Sequence, residues 1–310
     1  MKIYINREPV SGPWGGGNKT VTLLHEKCKK EFDVTTDITE PDIDLIFCID
    51  PRPNPAGVWY QDFINYKNNI NPKVKIIQRV GDVGSHSKPD LTQLVKQTIQ
   101  MSDFIIFPSD WARVYIGYEK KNYCIVPNRS SKVFFKNRSY AKKLFNEKIK
   151  IVTHHWSKNK KKGFDVYEAL GKFIKENETS LEFTYIGRYP EDSSMEGIDV
   201  IHPQSDEKLS EILPNFDIYM TASIEEAGAN HVLEALAAGL PVVYRKGGGS
   251  IQEYCSQYGV EYDHSLQSLI EAITSVSKSY NLHKKLAINY QESLDTSINT
   301  YLDVIKEALK

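Results

Sequence analysis

Two carboxylates, Glu226 and Glu234, stand with seven residues between them in the stretch SIEEAGANHVLEALAAGLPVVYRKGGGSIQE, which runs from Ser223 to Glu253. Ala227, Gly228 and Ala229 form a small-residue turn after the first, and Asn230 is placed to cap a helix that carries the second. Glu226 then sits in the loop before the helix and Glu234 on its first turns. Both face one side, together with the free N–H groups of the helix start. Carboxylates accept hydrogen bonds from sugar and ribose hydroxyls, and free amides at a helix start attract phosphate. A buried-looking strand, Leu240 to Tyr244, and a triple glycine, Gly247 to Gly249, follow. The glycines read as a place of close approach to a ligand. Two solvated helix charges produce the same spacing, but the run A-x-A-A-G-x-P-V-V directly behind the pair favours a ligand site.

The elements that must position this stretch are read from periodicity. Short apolar runs alternate with helical patterns, the mark of a parallel sheet. Lys2 to Asn6 is a first strand, and the loop EPVSGPWGGGNKT after it carries Trp14, Gly16 and Gly17 into a helix starting near Asn18. This resembles a phosphate cradle without the G-K-[ST] ending, and the G-x-G-x-x-G fingerprint is absent too. Strands are expected over 44–49, 73–80, 103–108 and 122–128, with Ser109 as a helix N-cap. The loop GDVGSHSKPD leaves the carboxyl end of the second of these and gathers Arg79, Asp82 and His86, where such sheets bind ligands. A basic, poorly patterned stretch between about 129 and 148 reads as a linker. The alternation restarts at Lys148 with KIKIVTHHW, so two domains are expected. Lys162-Gly163 opens the next helix, and strands follow over 180–187 (Arg188 at its end), 198–202 and 216–221. Ser250 and Glu253 form an S-x-x-E capping box, and Gly259 reads as the C-cap of that helix. From Ser265 to Lys310 the chain is helical, with Leu294, Ile298, Tyr301, Leu302 and Ile305 on one side of the last helix.

The 310 residues fit two domains of about 150. With 39 Lys and Arg against 40 Asp and Glu, the chain lacks the massed positive charge of a nucleic-acid binder. The four cysteines have no metal-ligand spacing, and Cys48 and Cys124 fall in apolar strand-like runs as reduced core residues. The start MKIYINREP is a strand rather than a signal segment, and no apolar run reaches the length of a membrane helix. The expectation is a cytoplasmic protein, with peripheral membrane contact left open.

The stretch from Ser223 resembles the E-x7-E signature of the family four retaining glycosyltransferases, most specifically over about 150–255. The resemblance implies the GT-B fold: two Rossmann-like domains with parallel sheets facing across a cleft, and a C-terminal helix crossing back to the first. The domains are expected at 1–135 (acceptor), 136–290 (donor) and 291–310 (the returning helix). It implies a nucleotide-sugar donor and a hexosyl-type transfer to an unidentified acceptor hydroxyl on a glycan, lipid-linked molecule or protein, within glycan biosynthesis. Glu226 would contact the donor sugar, with Gly228, Ala229, Asn230 and His231 around it, and Glu234 would bind the ribose hydroxyls. Lys162 and Gly163 match the pair that neutralises the diphosphate. An arginine six residues earlier is replaced by Trp156, and Lys158 is the candidate substitute. Arg188 joins the donor set, His202 to Gln204 would pack on the base, and the loop with Gly16 and Gly17 would lie near donor and acceptor. Arg79 stands where many members have a histidine beside the scissile bond. Arg79 and Asp82 are expected at the reaction centre, with His86 and Trp14 on the acceptor side.

The implied chemistry is front-face displacement, which needs positioning and charge stabilisation more than a strong base, so no metal or cofactor is expected. The pair flanks one helix start rather than one bond, unlike a glycoside hydrolase. Alternatives are a sugar-nucleotide epimerase or hydrolase on the same fold, and a nucleotide-sugar binding protein without catalysis.

Overall fold

The computed structural model describes residues 1–10, 16–138, 140 and 148–310. Trp14 and residues 139 and 141–147 of the expected linker lie outside these residues. The chain forms two compact units, Met1–Asn128 with Leu294–Lys310, and Arg129–Ser293. The first thus ends at Asn128, where the sequence reading put the boundary after 135.

In the first unit, β1 (Lys2–Ile5), α1 (Gly16–Cys28), β2 (Asp33–Thr35), β3 (Leu45–Cys48), α2 (Tyr60–Asn69), β4 (Lys75–Arg79), α3 (Pro89–Met101), β5 (Phe104–Phe107), α4 (Asp110–Ile116) and β6 (Tyr123–Ile125) follow one another. The strands are all parallel in the order β2-β1-β3-β4-β5-β6. All four residues of β3 are buried, as a parallel strand covered on both faces requires. Ser109 caps α4, accepting from the amide of Ala112. The C-terminal helix, Leu294–Ala308, turns Leu294, Ile298, Tyr301, Leu302 and Ile305 onto Ile3, Ile5, Phe47 and the inner face of α1. This is the single apolar stripe its spacing demands.

The second unit contains α5 (Val133–Lys136), β7 (Ile149–His155), α6 (Phe164–Glu176), β8 (Leu181–Gly187), β9 (Asp199–Ile201), α7 (Asp206–Ile212), β10 (Ile218–Thr221), α8 (Asn230–Ala237), β11 (Val242–Arg245), α9 (Ser250–Cys255), β12 (Gly259–Tyr262), α10 (Leu266–Lys278) and α11 (Tyr280–Ile288). Its parallel sheet runs β12-β11-β10-β7-β8-β9. Successive strand residues face opposite sides: Val152, Tyr219 and Val242 enter one core, Ile151, Ile218 and Val243 the other.

Three expectations are corrected here. Ala229, not Asn230, is the N-cap of α8, and Asn230 is its first residue. Ser250 does not cap α9, whose N-cap is Gly249; its hydroxyl instead accepts the amide of Ala229 at 3.0 Å. Gly259 ends no helix but opens β12, where a Cβ would lie 2.5 Å from the carbonyl oxygen of Val242. In each case a tertiary partner outweighs the local signal.

Candidate functional site

The sheet order of the second unit reverses between β7 and β10, and ligands of open α/β sheets bind at the carboxyl ends of the strands at such a switch point. Two loops leave there. The loop after β7 ends in a 3₁₀ turn, Lys160–Lys162, and Gly163. The loop after β10 runs to Ala229. They meet because Gly163, at φ +88°, has no side chain: a Cβ would fall 2.4 Å from both the Cβ and the oxygen of Ala222. The amide of Ile224 then donates to the carbonyl of Lys161 at 3.0 Å.

Across this seam Lys162 Nζ lies 2.5 Å from Glu226 Oε1, with 13% and 12% of the two side chains exposed. A second pair, Lys161 Nζ to Glu225 Oε2 at 2.5 Å, stands beside it and is more open. Glu225 holds φ +56°, a left-handed conformation that costs a non-glycine residue about 1–3 kcal/mol. A third loop holds it there. The amides of Glu225 and Glu226 donate to the carbonyls of Gly247 and Gly248, and Ser250 N–H donates to Glu226 O. The triple glycine is therefore a backbone partner of the Glu226 loop. Gly248 and Gly249 are buried, and a Cβ on Gly248 would lie 2.9 Å from that of Ile251.

Glu234, on the second turn of α8, is 8% exposed, and its Oε2 accepts from His154 Nε2 at 2.8 Å. His154 and His155 close β7, and His155 Nε2 lies 2.7 Å from the hydroxyl of Tyr167. His231 packs edge to face on His155, ring centroids 4.8 Å apart, with Nε2 3.1 Å from Thr221 Oγ1. Burial pushes the His231 imidazole down to about 3; Glu226 opposes that shift and Lys162 adds to it. His231 is thus a neutral floor beneath the site rather than a charged donor contact. Two buried polar atoms at this end of the sheet, His154 Nδ1 and Ser223 Oγ, have no hydrogen-bond partner among the described residues.

Lys162, Gly163, Glu226, Gly228, Asn230 and Glu234 thus gather at the switch point. The amide of Ala229 is taken by Ser250, so it is not one of the helix-start donors open to a ligand. Lys158 is exposed, its Nζ 3.5 Å from Glu191. Arg188 is also exposed, its guanidinium over the Trp156 ring at 4.1 Å. His202 and Gln204 follow β9 at the sheet edge, two strands beyond β7, with Gln204 Nε2 donating to His202 O. A cavity of about 500 Å³ opens beside the same loops, lined by Lys161, Gly163, Phe164, Asp165 and Arg245 among others; Lys162 and Glu226 do not line it.

In the first unit, a cavity of about 470 Å³ lies over the carboxyl ends of β1, β3 and β4 and includes Arg7, Gly17, Asn18, Asp50, Arg79 and Asp82. Arg79 is 5% exposed, its Nε donating to Tyr301 Oη and its Nη2 to Asn128 Oδ1, both at 3.0 Å. It therefore ties the C-terminal helix to β4 as well as lining the cavity. Asp82 accepts from Lys88 Nζ at 2.8 Å. Gly16 opens α1, and His86, half-buried in the loop after β4, does not line the cavity.

Sequence reasoning passed over His154, His155 and Tyr167. The signal was there in two consecutive histidines at the end of an apolar strand. Among the described residues no cluster of three or more His, Cys, Asp or Glu has a metal-holding arrangement, and no helix is long and apolar enough to cross a membrane.

Residues 136–293 match the family described as Glycosyl transferases group 1. No curated protein matches the chain. Among solved structures, the chain is similar to a sucrose-phosphate synthase from Thermosynechococcus elongatus, at 12% identity and TM-score 0.70, covering 99% of this chain and 98% of that one. It is also similar to HepE of Anabaena in complex with UDP, at 13% identity and TM-score 0.71, covering 99% and 100%. HepE with UDP-glucose gives 12% identity and TM-score 0.68, covering 99% and 100%.

Proposed function

The chain belongs to the family Glycosyl transferases group 1 and has the GT-B fold; from that premise we propose that it is a retaining glycosyltransferase of the E-x7-E type, using a nucleotide-sugar donor without a metal. The observation that carries this reading is the Lys162–Glu226 pair at the switch point, in the loop that leads into α8 and Glu234. The bound nucleotides in the HepE structures make UDP-sugars the first donors to test.

In this reading the donor diphosphate competes with Glu226 for the Lys162 ammonium. Lys162 and the open amides at the start of α8 then stabilise the charge that develops on the leaving diphosphate. Glu226, released from Lys162, accepts hydrogen bonds from the donor sugar, and Glu234 accepts from the ribose. The acceptor hydroxyl attacks the anomeric carbon on the face the diphosphate leaves, and a departing phosphate oxygen takes its proton. The new glycosidic bond forms as the sugar–phosphate bond breaks, with retention. The first-unit cavity lined by Arg79 and Asp82 supplies the acceptor site, and its balance of arginines and carboxylates suits a polyhydroxyl molecule. Arg188 on Trp156 stands ready as a second cation beside the donor.

A thermal-shift screen with UDP, ADP, GDP and their glucose conjugates tests the donor half. A ligand that binds the native state raises its melting temperature by mass action. One nucleotide class is expected to shift the wild type, and Lys162→Ala and Glu234→Ala are expected to lose that shift. No shift with any of them at millimolar ligand refutes the donor site. Product anomeric configuration, read by NMR from a UDP-sugar turnover, tests retention.

A further inference from the structure

We propose that His154 is a positioning residue that fixes the carboxylate of Glu234 for the ribose of the donor; this rests on the donor-site reading above. The two residues are 80 positions apart and come from different elements, the switch-point strand β7 and helix α8. Tyr219 holds both the backbone and the ring of His154. The amide of His154 donates to Tyr219 Oη at 3.2 Å, that hydroxyl lies 3.3 Å from the carbonyl of His154, and the Tyr219 ring stands edge-on to the imidazole with centroids 5.4 Å apart. His154 is 8% exposed, so the ring has little room to turn.

The hydrogen-bond roles follow from the partners. An ionised carboxylate only accepts, so His154 Nε2 carries the proton that Glu234 Oε2 receives. Nδ1 is buried with no partner, and a proton there would be a buried donor left unpaired. The ring therefore presents its Nε2–H to Glu234 as a donor. One such bond sets the rotation of the Glu234 carboxylate about its last side-chain torsion, a broad and weakly determined angle in isolation. The strand thereby dictates where a helix-borne acceptor points. Ligand hydroxyls meet the remaining exposed part of that side chain, 11% of it.

The test compares the wild type with His154→Gln, His154→Asn and His154→Leu. A glutamine amide reaches the place of Nε2 and donates, an asparagine is too short, and a leucine fills the space without donating. Calorimetric titration uses whichever of UDP, ADP and GDP binds the wild type, and its 2′,3′-dideoxy counterpart. The wild type is expected to prefer the ribonucleotide by about tenfold or more, the scale of a hydrogen bond to a charged group. His154→Gln keeps that preference. His154→Asn and His154→Leu reduce it to within about twofold of unity, by weakening the ribonucleotide alone. In turnover, the same two variants raise the donor KM while kcat stays within about threefold.

Equal weakening of ribo- and dideoxynucleotide, or no rescue by glutamine, leaves His154 a packing residue and overturns the proposal. Should His154→Leu not fold, the Gln–Asn comparison decides alone. Failure of the folded wild type to bind any of the nucleotides refutes the donor site itself, and the inference with it.

Discussion

His231 should make this protein acid-sensitive in a way that can be assigned to one side chain. Its imidazole is 7% exposed, and burial lowers its pKa from 6.5 to about 3. A histidine depressed in the folded state binds its proton more readily in the unfolded chain. Its contribution to stability is fully present above the unfolded value of 6.5 and is lost as the pH falls towards 3. Each unit corresponds to about 1.4 kcal/mol, so the loss is about 2 kcal/mol at pH 5 and about 3 kcal/mol at pH 4. His231→Gln keeps a hydrogen-bonding group near Thr221 but removes the titration. Urea unfolding of both proteins at pH 7.5, 6, 5 and 4 isolates the effect, because other carboxylates and histidines titrate alike in the two. The variant is expected to be the weaker at pH 7.5, by about 1 kcal/mol of lost packing and hydrogen bonding, and to close that gap and overtake the wild type by pH 5. Parallel stability curves down to pH 4 would refute the reasoning, since they would mean that His231 carries its proton in the folded protein.

Three further outcomes follow from the same geometry. Lys162→Ala removes the ion-pair partner of the mostly buried Glu226 carboxylate and should cost about 3 kcal/mol in urea unfolding; adding Glu226→Gln should recover a large part of it, and additive effects would mean that the pair is not coupled. Gly163→Ala must fit a Cβ at φ +88° against the backbone of Ala222, so a loss of about 2–5 kcal/mol is expected, with the unfolding midpoint as the check. Lys284 is 4% exposed, and burial lowers its pKa from 10.5 to about 8, against the pull of Asp217 and with the push of Arg138. Its folded-state charge is therefore a cost below pH 8 that fades as pH rises to 10.5. Lys284→Met should raise the melting temperature at pH 7, and a lower one would show that the ammonium is better paired than its burial suggests.

Strand and helix periodicity is a local property, and it was enough to show two runs of β–α alternation, the restart near Lys148 and the apolar stripe of the last helix. It also placed Glu226, Glu234, Lys162 and Gly163 on loops and a helix start, because these assignments depend on neighbours a few residues away. Two short edge strands, β2 and β12, escaped it: three or four residues carry too little pattern, and Gly259 looks like a helix stop until the carbonyl of Val242 stands beside it. Ser250 departs from its local motif for a related reason: the amide of Ala229 supplies a partner from another loop.

The site itself was decided by strand order. Only when β10 lies beside β7 does Lys162 meet Glu226, and only then does the end of β7 bring His154 to Glu234. Composition and spacing by themselves determined which residue types were present for the proposed donor site. Which of them touch, which are spent on the fold (Arg79 on Tyr301, Ala229 on Ser250) and which histidines stand beneath the carboxylates are set by long-range packing, because a hydrogen bond between residues 80 apart leaves no trace in either residue's neighbours.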